Sequence, residues 1–252
     1  MQDSTVTVQS NRDVSRGAFG QAWLARLQTF LKHLGRHRAA VVAAVIILLY
    51  LALGILAPVI APYDPLSGDA SERLQGPSPD HLLGTDELGR DILSRIIYGA
   101  STSLVIQGGA VAIGLLVGAG LGLIAGYSRG WSDDLIMRLM DVLLAFPGVF
   151  LSIVVIAALG PGTSSVLYAV GIALIPSFAR LVRSSAIQIR ELQYVEAAQA
   201  IGAGHLRILA RHVLPNSAPP IIVYTTVVLA YILLTASGLS YLGLGVQPPT
   251  PE

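Results

Sequence analysis

The run AVAIGLLVGAGLGLIAGY, residues 110–127, carries no charge and sets a glycine at every fourth position, at Gly114, Gly118, Gly122 and Gly126. Extended upstream to Leu104, it exceeds the ~20 apolar residues a helix needs to cross a bilayer core. Positions four apart share one helix face. The glycines therefore form a smooth stripe along which a second helix can approach to backbone distance. The stripe reads as a packing face; a substrate path lined by glycine is the alternative its spacing leaves open.

Four more runs have similar length and character: Ala39–Ala61, Leu135–Leu159, Ser164–Val182 and Ala218–Leu239. None alternates with the period of two that marks barrel strands, so helices must satisfy their backbone groups in lipid. The 252-residue chain is 53% hydrophobic and 12% charged, about half the charge of an average soluble domain. The fold class is all-α: a polytopic membrane protein with five transmembrane helices. The apolar part of the first run is longer than a signal-peptide core, and Pro62 follows Ala61, which reads as a retained span rather than a cleaved leader. A net charge of +1 supplies no basic face for a nucleic-acid partner. The absence of cysteine removes disulfides, thiolate metal sites and Cys nucleophiles.

Lys and Arg counts orient the chain. A cytoplasmic amino terminus places 13 of the 16 basic residues on the cytoplasmic side. The expected organisation is then a cytoplasmic segment 1–38, a first span 39–61, an external loop 62–103 and a core 104–252 containing a cytoplasmic loop 183–215. Within the external loop, RDILSRIIYGA reads as an amphipathic helix at the outer interface. Asp86, Arg90 and Asp91 of that loop are candidates for docking a partner, against the plainer reading of a solvated loop. No metal site is expected, because His81 stands alone among scattered carboxylates. Inside the spans, Asp141 is expected to pair with Arg138 three residues earlier, and Pro147 and Pro176 to kink their helices.

The cytoplasmic loop contains YVEAAQAIGAGHLRILARHVLPN, residues 194–216. Good helix formers run to Ala200, Gly202 and Gly204 interrupt them, and HLRILARHVL resumes until Pro215. The expectation is two short helices joined by a glycine turn at the membrane surface, with Leu206, Leu209 and Val213 on one face. Glu196, Ala197 and Ala198 put small side chains where lipid anchoring would favour Trp, Phe or Lys, which points to a protein groove instead.

These residues carry a resemblance. Glu-Ala-Ala, three residues, Gly, nine residues, and one residue between His212 and Leu-Pro resembles the signature loop of ABC importer permeases. HLLGTDELGRDILSRIIYGASTSL (81–104), MDVLLAFPGVFLSI (140–153) and SGLSYLGLGVQPPTPE (237–252) are similar to the dipeptide, oligopeptide and nickel group, closest to the second of its paired permeases. The resemblance implies the ABC type I importer permease fold in a bacterial or archaeal cytoplasmic membrane. It implies as partners a homologous permease in a heterodimer, two ABC ATPase subunits and an extracytoplasmic substrate-binding protein. ATP and Mg would belong to the ATPases, with no cofactor on this chain. Glu196, Ala197, Ala198, Ile201, Gly202, Ala203, Gly204, His205 and Leu206 would couple to an ATPase, and His212, Leu214 and Pro215 would close the loop. Peptides are the expected substrate, with nickel chelates, glutathione or opines as alternatives. Relatives continue past PPTP into another span, so a sixth helix is expected beyond residue 252. Two rival classes fit less well. A membrane-embedded enzyme using Glu196, His205 and His212 lacks a His-Glu-x-x-His spacing. An ion-coupled transporter would carry more buried ionisable groups. No phosphate-binding loop is present, so ATP hydrolysis is not expected of this chain.

Overall fold

A computed structural model of the chain describes residues 35, 37–128 and 130–252. Most of the amino-terminal segment expected to be cytoplasmic lies outside the described residues, as does Arg129. The chain divides into two units, residues 1–52 and 53–252. Helix α1, Arg38–Ile55, is long and apolar enough to cross a membrane. It stops short of the expected Ala61, and a separate turn of helix, α2 (Ala57–Ile60), follows with a proline in its first turn.

The second unit continues through a 3₁₀ turn (Ala70–Glu72) to α3 (Ile92–Ser128), α4 (Trp131–Leu144), α5 (Gly148–Leu159), α6 (Thr163–Arg190), α7 (Gln193–Ala200), α8 (His205–Ile208) and α9 (Leu214–Tyr241). Among the described residues there is no strand, only an isolated bridge between Thr85 and Asp91. The amphipathic outer helix and the second span form one 37-residue helix, α3. No proline stands between Ile92 and Leu104, and the single glycine there, Gly99, is carried within the helix.

The glycine stripe of α3 lies on α6. A methyl group on Gly118 would come within 2.5 Å of the Ile175 carbonyl oxygen, and one on Gly126 within 2.7 Å of that of Arg183. At Gly122 it would overlap the Ala179 carbonyl. The partners on α6 rise in number with the glycines, so the two helices run parallel. The chain leaving α3 at residue 128 must therefore travel back along the bundle to begin α6 at residue 163. Helices α4 and α5 make that return, bent by 88° at the break between them. Counted as one crossing, they complete five spans. Proline explains the break: Pro147 has no N–H to give and disfavours helical dihedrals at Phe146. Pro176, by contrast, is accommodated inside an unbroken α6.

Helix α9 runs antiparallel to α3. Gln107 of α3 donates to the Leu229 carbonyl at 3.4 Å, while Tyr127 and Val213 share a cluster at the other end. Phe178, fully buried, meets Tyr224 edge to face near the middle of the core. At one end of the bundle Arg95 donates to the carbonyls of Pro65 and Pro249, joining the loop before α3 to the carboxy-terminal segment. The loop between α6 and α9 occupies the opposite end.

Charged side chains tie α4 to α6. Arg183 makes a two-pronged contact with Asp133 at 2.5 and 2.6 Å, and Arg180 donates to Asp141 at 2.8 Å. The expected Arg138 partner of Asp141 is thus replaced by an arginine on another helix. A residue three positions away on the same helix competes poorly with a guanidinium approaching from a facing one, whose planar fork matches a carboxylate.

Gly122→Val is expected to cost about 1–3 kcal/mol through overpacking, read as a lower unfolding temperature of the detergent-solubilised protein. Gly120→Ala, whose methyl group meets nothing within 4 Å, should leave that temperature unchanged or raise it.

Candidate functional site

The loop between α6 and α9 is built around a left-handed glycine. Helix α7 ends at Ala200, and Gly202 adopts φ +83°. Its N–H bonds the Gln199 carbonyl at 2.9 Å, and the Ala203 N–H reaches the Ala198 carbonyl at 3.0 Å. This pair of bonds is the Schellman termination, in which the left-handed residue is nearly always glycine. A methyl group on Gly202 would meet nothing within 4 Å, so the requirement is conformational rather than steric. Gly204 has ordinary extended dihedrals and opens α8.

The second short helix is not closed at Pro215. From His205 the chain stays helical through a π-turn, Leu209–Val213, directly into α9. The Leu214 N–H reaches back five residues to Leu209. That wider turn leaves room for the proline ring, which would press on the carbonyl four residues back in a regular helix. The Ser217 hydroxyl donates to Val213 and the Asn216 amide to His212, which reinforces the same turn.

The loop has two distinct sides. Val195, Ala198, Ile208 and Val213 are buried, and all but Ala198 join Tyr127, Ala186 and Ile189 in one cluster. Glu196, Ala197, Gly202, Gly204 and His205 are exposed, and Ile201 and Leu206 project almost fully, at 87% and 83% exposure. The expected apolar face is therefore shifted. Ile208 turns inward with Val213, and Leu206 turns out. Of the small residues, Ala197 faces out and Ala198 faces the protein's own core. Ala203 is partly buried against the cluster. His212, half-buried, lies 5.8 Å from the Tyr194 ring, while Leu214 and Pro215 are exposed.

At the other end, the loop 62–91 is held by its own charges. Asp86 accepts from the N–H groups of Leu88 and Arg90 and pairs with the Arg90 and Arg95 guanidinium groups. Asp91, 3% exposed, caps α3 by accepting from the Ser94 N–H and hydroxyl, both at 2.7 Å. Gly89 is left-handed (φ +72°) where a side chain would strike the Asp69 backbone. The three docking candidates thus spend their polar groups inside the loop, while Leu66, Leu82 and Leu88 face outward.

His81 is not alone. Its Nδ1 lies 3.0 Å from Asp91 and its Nε2 3.2 Å from Glu72, and its ring sits 4.8 Å from that of Tyr63. Carboxylates only accept, so the ring satisfies both contacts as the doubly protonated cation. The Asp91 hydrogen bond raises the His81 pKa above its usual value, against burial, and Glu72 adds to it. Burial pushes the Asp91 carboxyl up, but hydrogen bonds from Ser94 and His81 outweigh it and hold it below the usual range. Among the described residues no three His, Cys, Asp or Glu side chains are arranged to hold a metal ion.

An all-helical chain with up to five membrane spans and a helix–glycine turn–helix at one end of its second unit has counterparts among known proteins. Residues 118–252 match the family described as binding-protein-dependent transport system inner membrane component. Residues 26–77 match the N-terminal TM domain of oligopeptide transport permease C. The chain belongs to this permease family. It is 45% identical over 224 residues to the glutathione transport system permease protein GsiD of Pectobacterium atrosepticum, covering 88% of this chain and 74% of that protein. It is 44% identical over 221 residues to the dipeptide transport system permease protein DppC of Alkalihalophilus pseudofirmus, covering 88% and 73%. Among solved structures, the MetNI methionine ABC transporter in inward-facing conformations aligns with 60% of this chain and 76% of that one, at a TM-score of 0.53 and 17% identity. That likeness supports the fold.

The chain is thus a permease subunit of a binding-protein-dependent ABC importer, a multi-pass protein of the bacterial inner membrane. Its relatives are transport permeases rather than enzymes. The loop around Gly202 presents two almost fully exposed apolar side chains, Ile201 and Leu206, on either side of a conformationally fixed turn. Sequence reading missed Tyr127 and Arg190, which anchor that loop from behind. A tyrosine and an arginine at helix ends 63 positions apart carry no local signal of their meeting.

Two outcomes are expected. Gly202→Asn should cost less than Gly202→Val, because the left-handed region charges ordinary side chains roughly 1–2 kcal/mol and asparagine less; proteolytic nicking of the loop reads the difference. The His81 pKa is raised on folding, so its contribution is complete below the unfolded value of ~6.5 and is lost as pH climbs through the folded value. Asp91 behaves oppositely, contributing above ~3.9 and failing as pH falls through its lowered value. Amide protection factors across residues 62–91, with exchange corrected for its intrinsic base-catalysed rate, should therefore be highest between these limits and fall on the alkaline side. His81→Asn should abolish the alkaline step.

Proposed function

We propose that this permease takes up peptides as one half of a translocation path, paired with a homologous permease in a heterodimer. Two ABC ATPase subunits sit on the cytoplasmic side and bind the ATP and Mg; an extracytoplasmic binding protein delivers substrate. The chain itself binds no cofactor and its amino terminus is cytoplasmic, in keeping with the Lys and Arg distribution. The dipeptide and glutathione names of its relatives support a short-peptide substrate.

One observation carries the coupling role. Ile201 and Leu206 stand almost fully exposed on either side of the Gly202 turn, while Val195, Ile208 and Val213 of the same loop are buried in the cluster behind it. Exposed apolar side chains on a fixed turn outside the hydrocarbon suit a protein groove. With Glu196 and Ala197 beside them, they form the surface an ATPase would hold. ATP-driven closure of the ATPase pair then draws the loops together and switches the bundle between inward- and outward-open states, a population shift biased by ATP and by the loaded binding protein.

The double substitution Ile201→Asp with Leu206→Asp should reduce the ATPase retained on a tagged permease by roughly tenfold or more, given ~1.5–3 kcal/mol for each buried aliphatic side chain. Undiminished retention would remove the coupling assignment. Uptake assays of the complete importer with a dipeptide and with glutathione test the substrate; transport of neither would end the peptide reading.

A further inference from the structure

Resting on that coupling role, we propose that Tyr127, His205 and Arg190 form a positioning lock that makes α3 move with the docking loop. Two of the three helices at this end are joined to the loop by the chain itself. Helix α6 passes into α7 through the short link at residues 191–192, and α8 passes into α9 through the π-turn. Helix α3 has no such connection. Its path onward leads away into α4, so movement of the loop reaches it through its packing on α6, and movement of α8 reaches its end only through side chains.

The contact that could carry it is specific. Tyr127, next to last in α3 and 7% exposed, places its hydroxyl 2.9 Å from Nδ1 of His205, the first residue of α8. The two rings also meet edge to face at 5.5 Å. From the other side Arg190, the last residue of α6, donates to the Tyr127 carbonyl and sets its guanidinium 5.5 Å from the ring centroid. That carbonyl belongs to the last turn of α3, where no amide of the same helix is available to it. Tyr127 therefore joins the ends of three helices: its backbone to α6, its hydroxyl to α8, and its ring to both. His205 is bonded to Leu206, the exposed side chain offered to the ATPase. A pull on Leu206 enters α8, crosses His205 to Tyr127 and reaches α3. The glycine stripe then ensures that α3 and α6 respond as one body.

The histidine is thus a positioning residue, and no chemistry is required of it. A hydrogen bond between an exposed and a buried side chain is modest in energy, but its role is geometric: it fixes the separation of two elements that the chain does not tie together.

The chain has no cysteine, so Ser128→Cys with Gln199→Cys, both at exposed positions, gives one pair for spin labels once any cysteines of the partner subunits are replaced. Their separation would be measured by pulsed electron resonance in the assembled importer, without nucleotide and after trapping with ATP and vanadate. With Tyr127 intact, one narrow distance common to both states is expected. Tyr127→Phe and His205→Ala should each broaden or shift it between states, lowering the ratio of the parent distance to all others about fivefold, the equilibrium weight of one hydrogen bond. His205→Asn, which keeps a polar atom near the Nδ1 position, should restore the narrow distance. The double variant should be no worse than either single one. A Tyr127→Phe importer indistinguishable from its parent, with ATPase bound, overturns the lock alone. A parent chain that retains no ATPase overturns the coupling role and the lock together.

Discussion

Everything in the second unit is arranged around the backbone contact between α3 and α6. Glycine at every fourth position lets the α6 carbonyls of Ile175, Ala179 and Arg183 sit where side chains would otherwise stand. In lipid, association gains little from excluding apolar surface, because the surrounding tails are equally apolar; close packing and weak polar contacts must supply it. The approach also imposes direction. Two parallel helices force the chain between them to recross the bundle, and this makes α4 and α5 a single broken crossing. The break falls at Pro147, the one position in that stretch unable to supply an amide.

The two ends of this rigid pair are finished differently. At the end that carries the loop 62–91, charge is consumed internally. Asp86, Arg90, Arg95, Asp91, His81 and Glu72 are matched to one another, so the loop holds a shape that its many acids alone would not favour. At the end that carries the loop between α6 and α9, apolar side chains are divided. One set, with Ile208 and Val213, fills the space under the loop. The other, Ile201 and Leu206, is left outward on a turn that Gly202 fixes by its dihedral angle. The same Schellman termination recurs after α9, where Gly243 has φ +76° and Leu244 bonds back to Leu239. A glycine with no steric neighbour is used at both positions to stop a helix and redirect the chain.

Much of this was legible in the residues. The spans, the glycine stripe, the break at Pro147 and the loop around Gly202 each depend on local periodicity or on backbone restrictions that one residue imposes by itself. What was misread shares a different cause. Asp141 was matched to Arg138, its neighbour in sequence, but Arg180 reaches it across a helix interface. His81 was read as solitary because Glu72 and Asp91 lie nine and ten positions away, on a loop whose folding brings all three together. Pro215 was read as a helix end, but a π-turn accommodates it.

The sequence by itself determined the class, the helices able to cross a membrane, the family and the place of the loop around Gly202, since these follow from hydropathy, from the conformational demands of glycine and proline, and from a motif of fixed spacing. Only the tertiary structure decided which groups are matched and which are presented. Ala197 and Ala198 are adjacent and chemically identical, yet one faces out and the other faces the core. His205 and His212 are both histidines of one loop, and only His205 meets the Tyr127 hydroxyl. Those outcomes depend on how α3, α6 and α9 are placed around the loop, and a contact between distant segments leaves no periodic trace in the chain.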